Sequence, residues 1–204
     1  MSRQEELDRW NARFASTDYL FGTEPNAFLA AQRDRLSPGQ KALAIADGEG
    51  RNGVWLARQG LDVTSVDFSP LALAKAERLA AEAGIGLTTE CVDLEQWQWG
   101  PPRFDVIAAI FIQFAPPPLR SLIFRGIKEA LKPGGLLLLQ GYRPEQITYG
   151  TGGPPVPENM YTATLLRESF ADMAILHLEE HDSHISEGTG HHGMSALIDL
   201  VARK

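Results

Sequence analysis

A loop of small residues near the start of the chain has the composition expected where a backbone passes close to a nucleotide. The apolar run 42–46 ends at Ala46, and Gly48 and Gly50 follow before a helical pattern begins. In a doubly wound sheet the first strand leads into such a turn, and a carboxylate at the end of the second strand accepts hydrogen bonds from the ribose hydroxyls. Asp67 closes the next apolar run and supplies that carboxylate. Together the two features predict a site for an adenosine-bearing cofactor.

The spacing of this loop does not choose between two kinds of adenosine cofactor. Gly48-x-Gly50-x-x-Gly53 also matches the dinucleotide fingerprint, and Asp67 follows about twenty residues later, as that fingerprint requires. A dehydrogenase would place a pyrophosphate at the helix that begins near Arg51, whereas a methyl donor would place its methionine end there. An NAD-dependent oxidoreductase therefore stays open at this point.

The elements around the loop predict an α/β fold with a Rossmann-like, doubly wound and mostly parallel sheet. Short β-rich runs bounded by glycine, proline or aspartate are typical of buried parallel strands. Five such runs stand at 42–46, 61–66, 86–92, 104–111 and 135–140. Helical patterns are found at 2–14, 26–36, 52–58, 70–84 and 118–131. The alternation of strand and helix fixes the expected class.

The last third of the chain predicts an antiparallel hairpin added to this sheet, which then has seven strands. Strand-like runs at 173–183 and 194–203 follow a Gly/Pro-rich loop at 142–161 and a short helix near 162–170. The link 186–190 is too short to hold a crossover helix, so the two runs must pair antiparallel. The Gly/Pro-rich loop leaves the edge where open α/β sheets bind ligands, and we expect it to be either a mobile gate or a solvated connection.

The composition excludes several classes of partner. Of the 204 residues 44% are hydrophobic and 22% charged, which suits one globular domain. A net charge of -7 without a local basic cluster argues against nucleic acid. The charged N-terminus, the single cysteine Cys91, expected to be buried, and the lack of any apolar run of about 18 residues favour a cytoplasmic protein without a membrane partner. A small-molecule substrate is the expected partner.

Five short motifs follow one another along the chain. They are the glycine loop 46–52, Val66-Asp67-Phe68-Ser69-Pro70, Val92-Asp93-Leu94, Phe104-Asp105-Val106-Ile107 and Leu131-Lys132-Pro133-Gly134-Gly135. In this order, and with the closing hairpin, they resemble the class I S-adenosylmethionine-dependent methyltransferases, in particular the small bacterial branch related to the tellurite-resistance TehB methyltransferases. The resemblance covers essentially the whole chain. It implies S-adenosyl-L-methionine as the cofactor.

The resemblance also implies which residues contact that cofactor. Asp67 would hold the ribose, Asp93 would lie on the adenine side, and Tyr19 would touch the methionine end of the donor. The complete expected set is Tyr19, Ala46, Asp47, Gly48, Arg51, Asp67, Phe68, Asp93, Leu94 and Ile110. No catalytic residue is assigned, because a sulfonium donor carries most of the activation and the protein mainly has to position the acceptor.

The expected organisation is a single methyltransferase domain over residues 1–204. An N-terminal helical lid occupies 1–36, the cofactor-binding core 41–141, and the acceptor-side loop, short helix and hairpin 142–204. For the N-terminal part, a helix packed on the edge of the sheet is the alternative to a lid.

Two residues depart from the family pattern. Members commonly have an aspartate inside the first strand and a glycine opening the loop, where this chain has Ala44 and Ala46. Ala46 should be tolerated if its φ stays negative. The segment 110–117 is apolar where methyltransferases of amide or exocyclic amino nitrogens carry a polar residue, which argues against DNA and protein-amide acceptors. Methyl transfer to a small molecule leads, with an NAD-dependent oxidoreductase or a non-catalytic adenosylmethionine-binding protein as alternatives.

Four of the five histidines lie near the predicted hairpin tip, at His181, His184, His191 and His192. A metal site is disfavoured, since His181 and His184 would point to opposite faces of a strand and no helix offers an i, i+4 pair. The open alternatives are an exposed polar turn and a role for His191 or His192 in lining the acceptor pocket.

Overall fold

The computed structural model describes residues 2–204 as an α/β fold built on one sheet. The strands are β1 Lys41–Ile45, β2 Asp62–Asp67, β3 Thr88–Cys91, β4 Phe104–Ile110, β5 Leu131–Tyr142, β6 Ala174–Glu187 and β7 His191–Arg203. The helices are α1 Arg3–Phe14, α2 Ala27–Ala31, α3 Arg51–Arg58, α4 Pro70–Glu82, α5 Pro117–Ala130, α6 Gln146–Tyr149 and α7 Ala163–Ser169. Two 3₁₀ turns lie at Arg33–Arg35 and Pro157–Asn159.

The sheet has seven strands in the order β3-β2-β1-β4-β5-β7-β6. The first five strands are parallel, and β7 pairs antiparallel with both β5 and β6. The predicted fold class and the C-terminal hairpin are therefore confirmed. The hairpin is longer than the sequence indicated, since β6 continues to Glu187 and β7 already begins at His191.

The apolar character of β1 follows from its place in the middle of the sheet. Leu43 and Ile45 face the core layer that contains α5 and α7, and Ala42 faces the layer that contains α2 and α3. Because helices cover both faces, the strand reads as a continuous apolar run instead of an alternating one.

The strand order reverses between β1 and β4, which are neighbours although two strands separate them in sequence. Consecutive helices therefore leave the sheet on opposite sides at this point and open a crevice at the carboxyl ends of the strands. The glycine loop after β1, Asp67 at the end of β2 and Phe111 after β4 all lie at this edge. The fold thus brings the glycine loop and Asp67, two parts of the predicted site, to one edge of the sheet.

Three local expectations change. The predicted helix 26–36 consists of α2, capped by the Asn26 side chain, and a separate 3₁₀ turn. The loop 142–161 contains α6 and is tied to β7 by a hydrogen bond from Thr151 Oγ1 to the Met194 carbonyl, so its mobility stays a prediction. The expectation that Cys91 is buried is wrong, because β3 is the edge strand and leaves this side chain exposed.

Within residues 2–204, no helix combines the length and apolarity that a membrane span requires.

Candidate active site

The glycine loop connects β1 to α3 through a series of left-handed residues. Ala46 has φ 47, Gly48 φ 59 and Gly50 φ 88. A Cβ on Gly50 would lie 2.5 Å from the Cβ of Ala76 on α4, so only glycine lets the loop approach that helix. The condition under which Ala46 was expected to be tolerated, a negative φ, is not met, since the turn at the end of β1 has left-handed backbone. For a residue with a Cβ this conformation costs ~1–2 kcal/mol.

Asp67 joins this loop to the end of β2. Its Oδ2 accepts a hydrogen bond from Gly48 N at 2.9 Å, and its Oδ1 accepts one from Ser69 N at 2.8 Å. Burial raises the pKa of Asp67, although these backbone donors oppose the change. A carboxylate has about four lone-pair sites, so both oxygens keep acceptor capacity for a ligand.

Asp47 anchors the loop from the inside. Its Oδ2 accepts hydrogen bonds from Gly53 N at 3.0 Å and from Ser65 Oγ at 2.9 Å, which ties the loop to α3 and β2. In the described part of the chain its Oδ1 is buried without a partner. Burial raises the pKa of Asp47 to about 7, against the effect of the two hydrogen bonds. This carboxylate organises the loop where the sequence has only Ala44 inside the strand.

Arg51, the first residue of α3, forms a buried ion pair that the sequence did not reveal. Its Nη2 donates to Glu187 Oε2 at 2.6 Å, and Glu187 Oε1 also accepts from Asn26 Nδ2 at 2.9 Å. Burial alone would raise the pKa of Glu187, but His191 and Arg51 lower it to about 2. Nη1 of Arg51 is buried and has no hydrogen-bond partner among residues 2–204. Arg51 thus keeps one N–H donor free at the N-terminus of α3, where the sequence predicts that an anionic group of the cofactor binds.

The remaining predicted cofactor residues fall into two groups. Asp93 lies in the segment after β3, where its carboxylate forms an ion pair with Arg3 of α1 and accepts from Glu95 N at 2.9 Å. Phe68 follows Asp67 directly and is half-buried. Leu94 and Ile110 are buried in the two core layers at the same edge. Whether any of them contacts a cofactor stays a prediction.

The N-terminal segment lies over the glycine loop. The ring of Phe14 packs against Gly48, with a ring carbon 3.6 Å from the position of a Cβ there. Asn11 Oδ1 accepts a hydrogen bond from Ser69 Oγ at 2.6 Å, which fixes α1 beside the end of β2. These contacts, with the ion pair of Arg3 and Asp93, place α1 across the carboxyl edge of the sheet.

A buried lysine holds the segment that follows α1. Lys75 of α4 forms a salt bridge with Glu49 of the loop and donates to the carbonyls of Ser16 at 2.9 Å and Asp18 at 2.6 Å. Tyr19 lies against α4, where its hydroxyl donates to the Lys75 carbonyl at 3.3 Å. The ring of Tyr19 also lies 5.1 Å from Lys75 Nζ, which pairs with Glu49 of the loop, and its contact with the donor stays a prediction.

The histidines of the hairpin separate into different environments. His191 is turned inward, with its ring centroid 4.5 Å from those of Phe21 and Phe111. His192 and His184 are exposed and contact each other at 5.5 Å between ring centroids. Over residues 2–204 the structure forms no group of three or more histidine, cysteine, aspartate or glutamate side chains suited to a metal ion. Of the residues considered for the acceptor pocket, only His191 faces the interior.

The residues at this edge fit an adenosylated methyl donor. Gly48 leaves space that a side chain would fill, next to a carboxylate at the place where a ribose carboxylate is expected. The free Nη1 of Arg51 suits a carboxylate of the ligand. Strand order, loop and carboxylate define a Rossmann-like nucleotide-binding protein.

Comparisons with known proteins make this class more specific. Residues 42–135 match the family model described as a methyltransferase domain. The chain is 34% identical over 108 residues to an uncharacterized methyltransferase of Synechocystis sp. The alignment covers 51% of this chain and 48% of that protein. The chain thus spans about half the length of this relative.

Solved structures agree over nearly the whole fold. TehB from Haemophilus influenzae superposes with a TM-score of 0.71 at 20% identity, covering 98% of this chain and 67% of that chain. The N-methyltransferase NodS from Bradyrhizobium japonicum, in complex with S-adenosyl-L-homocysteine, gives 0.69 at 14% identity and covers 97% of both chains. The matched domain, the curated relative and the shared fold support a class I S-adenosylmethionine-dependent methyltransferase, as the motifs predicted.

Proposed function

We propose that this protein transfers the methyl group of S-adenosyl-L-methionine to a small-molecule acceptor by in-line displacement. The observation that carries the proposal is the contact between Gly48 N and Asp67 Oδ2 at 2.9 Å. It holds the glycine loop and the second-strand carboxylate in the relation that an adenosine ligand requires. The match of residues 42–135 to a methyltransferase domain supports the choice of a methyl donor over NAD.

In this proposal the residues of the chain bind, orient and exclude water. Asp67 accepts from the ribose, Arg51 donates to the methionine carboxylate, and Asp93 lies on the adenine side. The other cofactor contacts come from Tyr19, Ala46, Asp47, Gly48, Phe68, Leu94 and Ile110. The bound donor supplies an electrophilic methyl group on a sulfonium. The protein then lowers the barrier chiefly through proximity and orientation of the acceptor.

The N-terminal part acts as the lid in this proposal. Phe14 lies on Gly48, and Lys75 holds the carbonyls of Ser16 and Asp18 close to the loop carboxylate of Glu49. A donor can enter only if this segment lifts, and its return removes water from the transferring methyl group. The chain is proposed to work as one domain, with the lid over 1–36, the core over 41–141 and the acceptor side over 142–204.

Calorimetric titration with S-adenosylmethionine, S-adenosylhomocysteine and NAD tests the proposal. We expect both adenosyl compounds to bind and NAD not to bind. Binding of NAD alone would overturn the proposal. Tight binding of the donor without turnover across a panel of thiol, amine, hydroxyl and metalloid acceptors would instead support a non-catalytic binding protein.

A further inference from the structure

Aromatic side chains from three parts of the fold surround His191. Phe21 belongs to the N-terminal segment, Phe111 follows β4, and Tyr142 ends β5; its ring centroid lies 5.8 Å from that of His191. Phe111 has φ 54, a left-handed conformation that is energetically unfavourable for any residue with a side chain. Such backbone strain is concentrated at functional sites. These rings stand at the same edge of the sheet as the proposed donor site.

Three buried polar atoms at this place have no hydrogen-bond partner within residues 2–204. They are Nη1 of Arg51, Oη of Tyr142 and Nδ1 of His191. Nδ1 of His191 lies 3.5 Å from Glu187 Oε2 without hydrogen-bond geometry, and the two groups attract as opposite charges only when the ring is protonated. Buried polar groups are normally paired, so these unpaired ones indicate that bound molecules complete the site, with the donor carboxylate at Arg51 and the acceptor beside Tyr142.

The charged and titratable groups facing the ring come from four elements. They are Glu187 of β6, Arg51 of α3, Tyr142 of β5 and Arg13 of α1. Burial lowers the pKa of His191, and the two arginines act in the same direction while Glu187 opposes them. The ring is therefore neutral at pH 7 and able to accept a proton.

We propose that His191 is the base that deprotonates the methyl acceptor, that this acceptor is an aromatic hydroxyl compound that packs against the cluster of Phe111, Tyr142 and His191, and that Glu187 is a positioning residue. The inference rests on the proposed methyl transfer. Flat aromatic walls suit a planar ring, and a neutral imidazole suits an acceptor that still carries its proton. An acceptor that is already an anion would need no base and would be repelled by Glu187.

The proposed methyl transfer conserves atoms and charge among the donor, the acceptor and His191. A bond forms between the acceptor oxygen and the methyl carbon while the carbon–sulfur bond of the donor breaks, and its electron pair stays on sulfur. The hydroxyl proton goes to Nε2 of His191, because Nδ1 faces Glu187. Imidazolium beside the Glu187 carboxylate is stabilised until the proton passes to water as the site opens to release the products. Arg51 keeps Glu187 ionised and in place through its 2.6 Å contact.

The test uses 4-nitrocatechol, an aromatic hydroxyl compound whose ionisation changes its visible spectrum. The full chain is loaded with S-adenosylhomocysteine, and the probe is added below its own pKa in water. We expect the wild type to bind the probe with an anionic spectrum, His191→Gln to lose that spectrum, and His192→Gln, the same change at the exposed neighbour, to keep it. Calorimetry should show the same affinity for S-adenosylhomocysteine in all three proteins.

Methyl transfer to the same probe gives an independent result. His191→Gln should lower kcat about a hundredfold or more with little change in KM, as expected for loss of a general base. Glu187→Gln should move the acidic limb of the pH profile to lower pH, and Glu187→Asp should restore it in part. The proposal is overturned if the wild type does not bind the probe, if the bound probe stays neutral, or if His191→Gln keeps its rate. Failure of the wild type to bind S-adenosylhomocysteine would overturn the proposed function instead.

Discussion

Arg51 and Glu187 form a buried ion pair across 136 positions of sequence, with Nη2 and Oε2 at 2.6 Å. The pair connects the first turn of α3 to the last residue of β6. Asn26 Nδ2 donates a second hydrogen bond to Glu187. It also donates to Oε1 of Gln140 on β5 at 2.6 Å, which extends the network into the sheet. The hairpin is thereby held against the loop that is proposed to bind the donor, and its inner histidine is held against the end of β4.

The acid sensitivity of the protein should depend on Glu187. The pKa of this carboxyl is about 2 in the folded protein against 4.5 unfolded, so its ionised form stabilises the fold. That contribution is complete above pH 4.5 and is lost as the pH falls toward 2. We expect Glu187→Gln to be less stable than the wild type near neutrality, by about 1–3 kcal/mol. The difference should shrink on acidification, as measured by urea unfolding along a pH series; a constant difference would contradict the assignment.

Asp67 should control affinity for the donor. Removing its side chain in Asp67→Ala takes away the acceptor for the ribose and releases Gly48 N, so we expect binding of S-adenosylhomocysteine to weaken by ~1–3 kcal/mol. Asp67→Asn keeps one acceptor oxygen and should lose less. Calorimetric titration of both variants measures the effect, and an affinity of Asp67→Ala equal to the wild type would remove this carboxylate from the ribose.

Local pattern predicted much of this molecule, because strands and helices depend on short-range periodicity. The apolar runs predicted β1 to β5, and the short link between the last two runs predicted the hairpin. Asp67 was found because its place follows from the end of a strand. The donor-site loop was located by its glycines, although the pattern gave no sign of the positive φ at Ala46, which is set by the turn that the loop makes toward α4.

The ion pairs between residues far apart in sequence could not be predicted from local sequence patterns. The partner of a charged residue is decided by how distant segments cross, so nothing near Arg51 pointed to Glu187, and nothing near Glu49 pointed to Lys75. The distinction between His191 and His192 is different. Alternation of a strand puts the two on opposite faces, and the contact with Phe111 shows that His191 is on the inner face.

Asp47 should make the protein less stable as the pH rises. Its pKa is raised from 3.8 to about 7, so the folded state holds a proton that the unfolded state has released over this range. Stability therefore falls between these two pH values, by about 2–4 kcal/mol, and levels off above the upper one. Asp47→Asn keeps an acceptor for Gly53 N and Ser65 Oγ but does not titrate. Thermal unfolding should show that its advantage over the wild type grows with pH; a constant advantage would contradict a raised pKa at Asp47.

Ala46→Gly tests whether the left-handed backbone costs stability. Glycine removes a penalty of ~1–2 kcal/mol at φ 47, and offsets part of that gain by ~0.5–1 kcal/mol through a more flexible unfolded chain. Ala44→Gly in β1 is the control, since it has the same change of side chain without a positive φ. We expect Ala46→Gly to be at least ~1 kcal/mol more stable than Ala44→Gly in urea unfolding. Equal losses in the two variants would show that the turn carries no strain.

Gly188→Ala should detach the hairpin turn from the N-terminal segment. Thr189 N and Gly190 N both donate to the Leu20 carbonyl, at 2.9 and 3.0 Å. A Cβ on Gly188 would lie 2.3 Å from that same carbonyl oxygen, so the turn cannot keep its place with alanine.

Gly84→Ala is the matched control for this change, because Gly84 has φ 68 against 63 at Gly188 but nothing within 4 Å of its Cβ position. Both variants carry the backbone cost, and only Gly188→Ala adds the collision. Amide hydrogen exchange at Thr189 and Gly190 should rise about tenfold or more in Gly188→Ala and stay unchanged in Gly84→Ala. Since the same turn carries His191 toward Phe111, methyl transfer should fall with it; faster exchange at full activity would mean that the turn and the N-terminal segment need not be joined for the site to work.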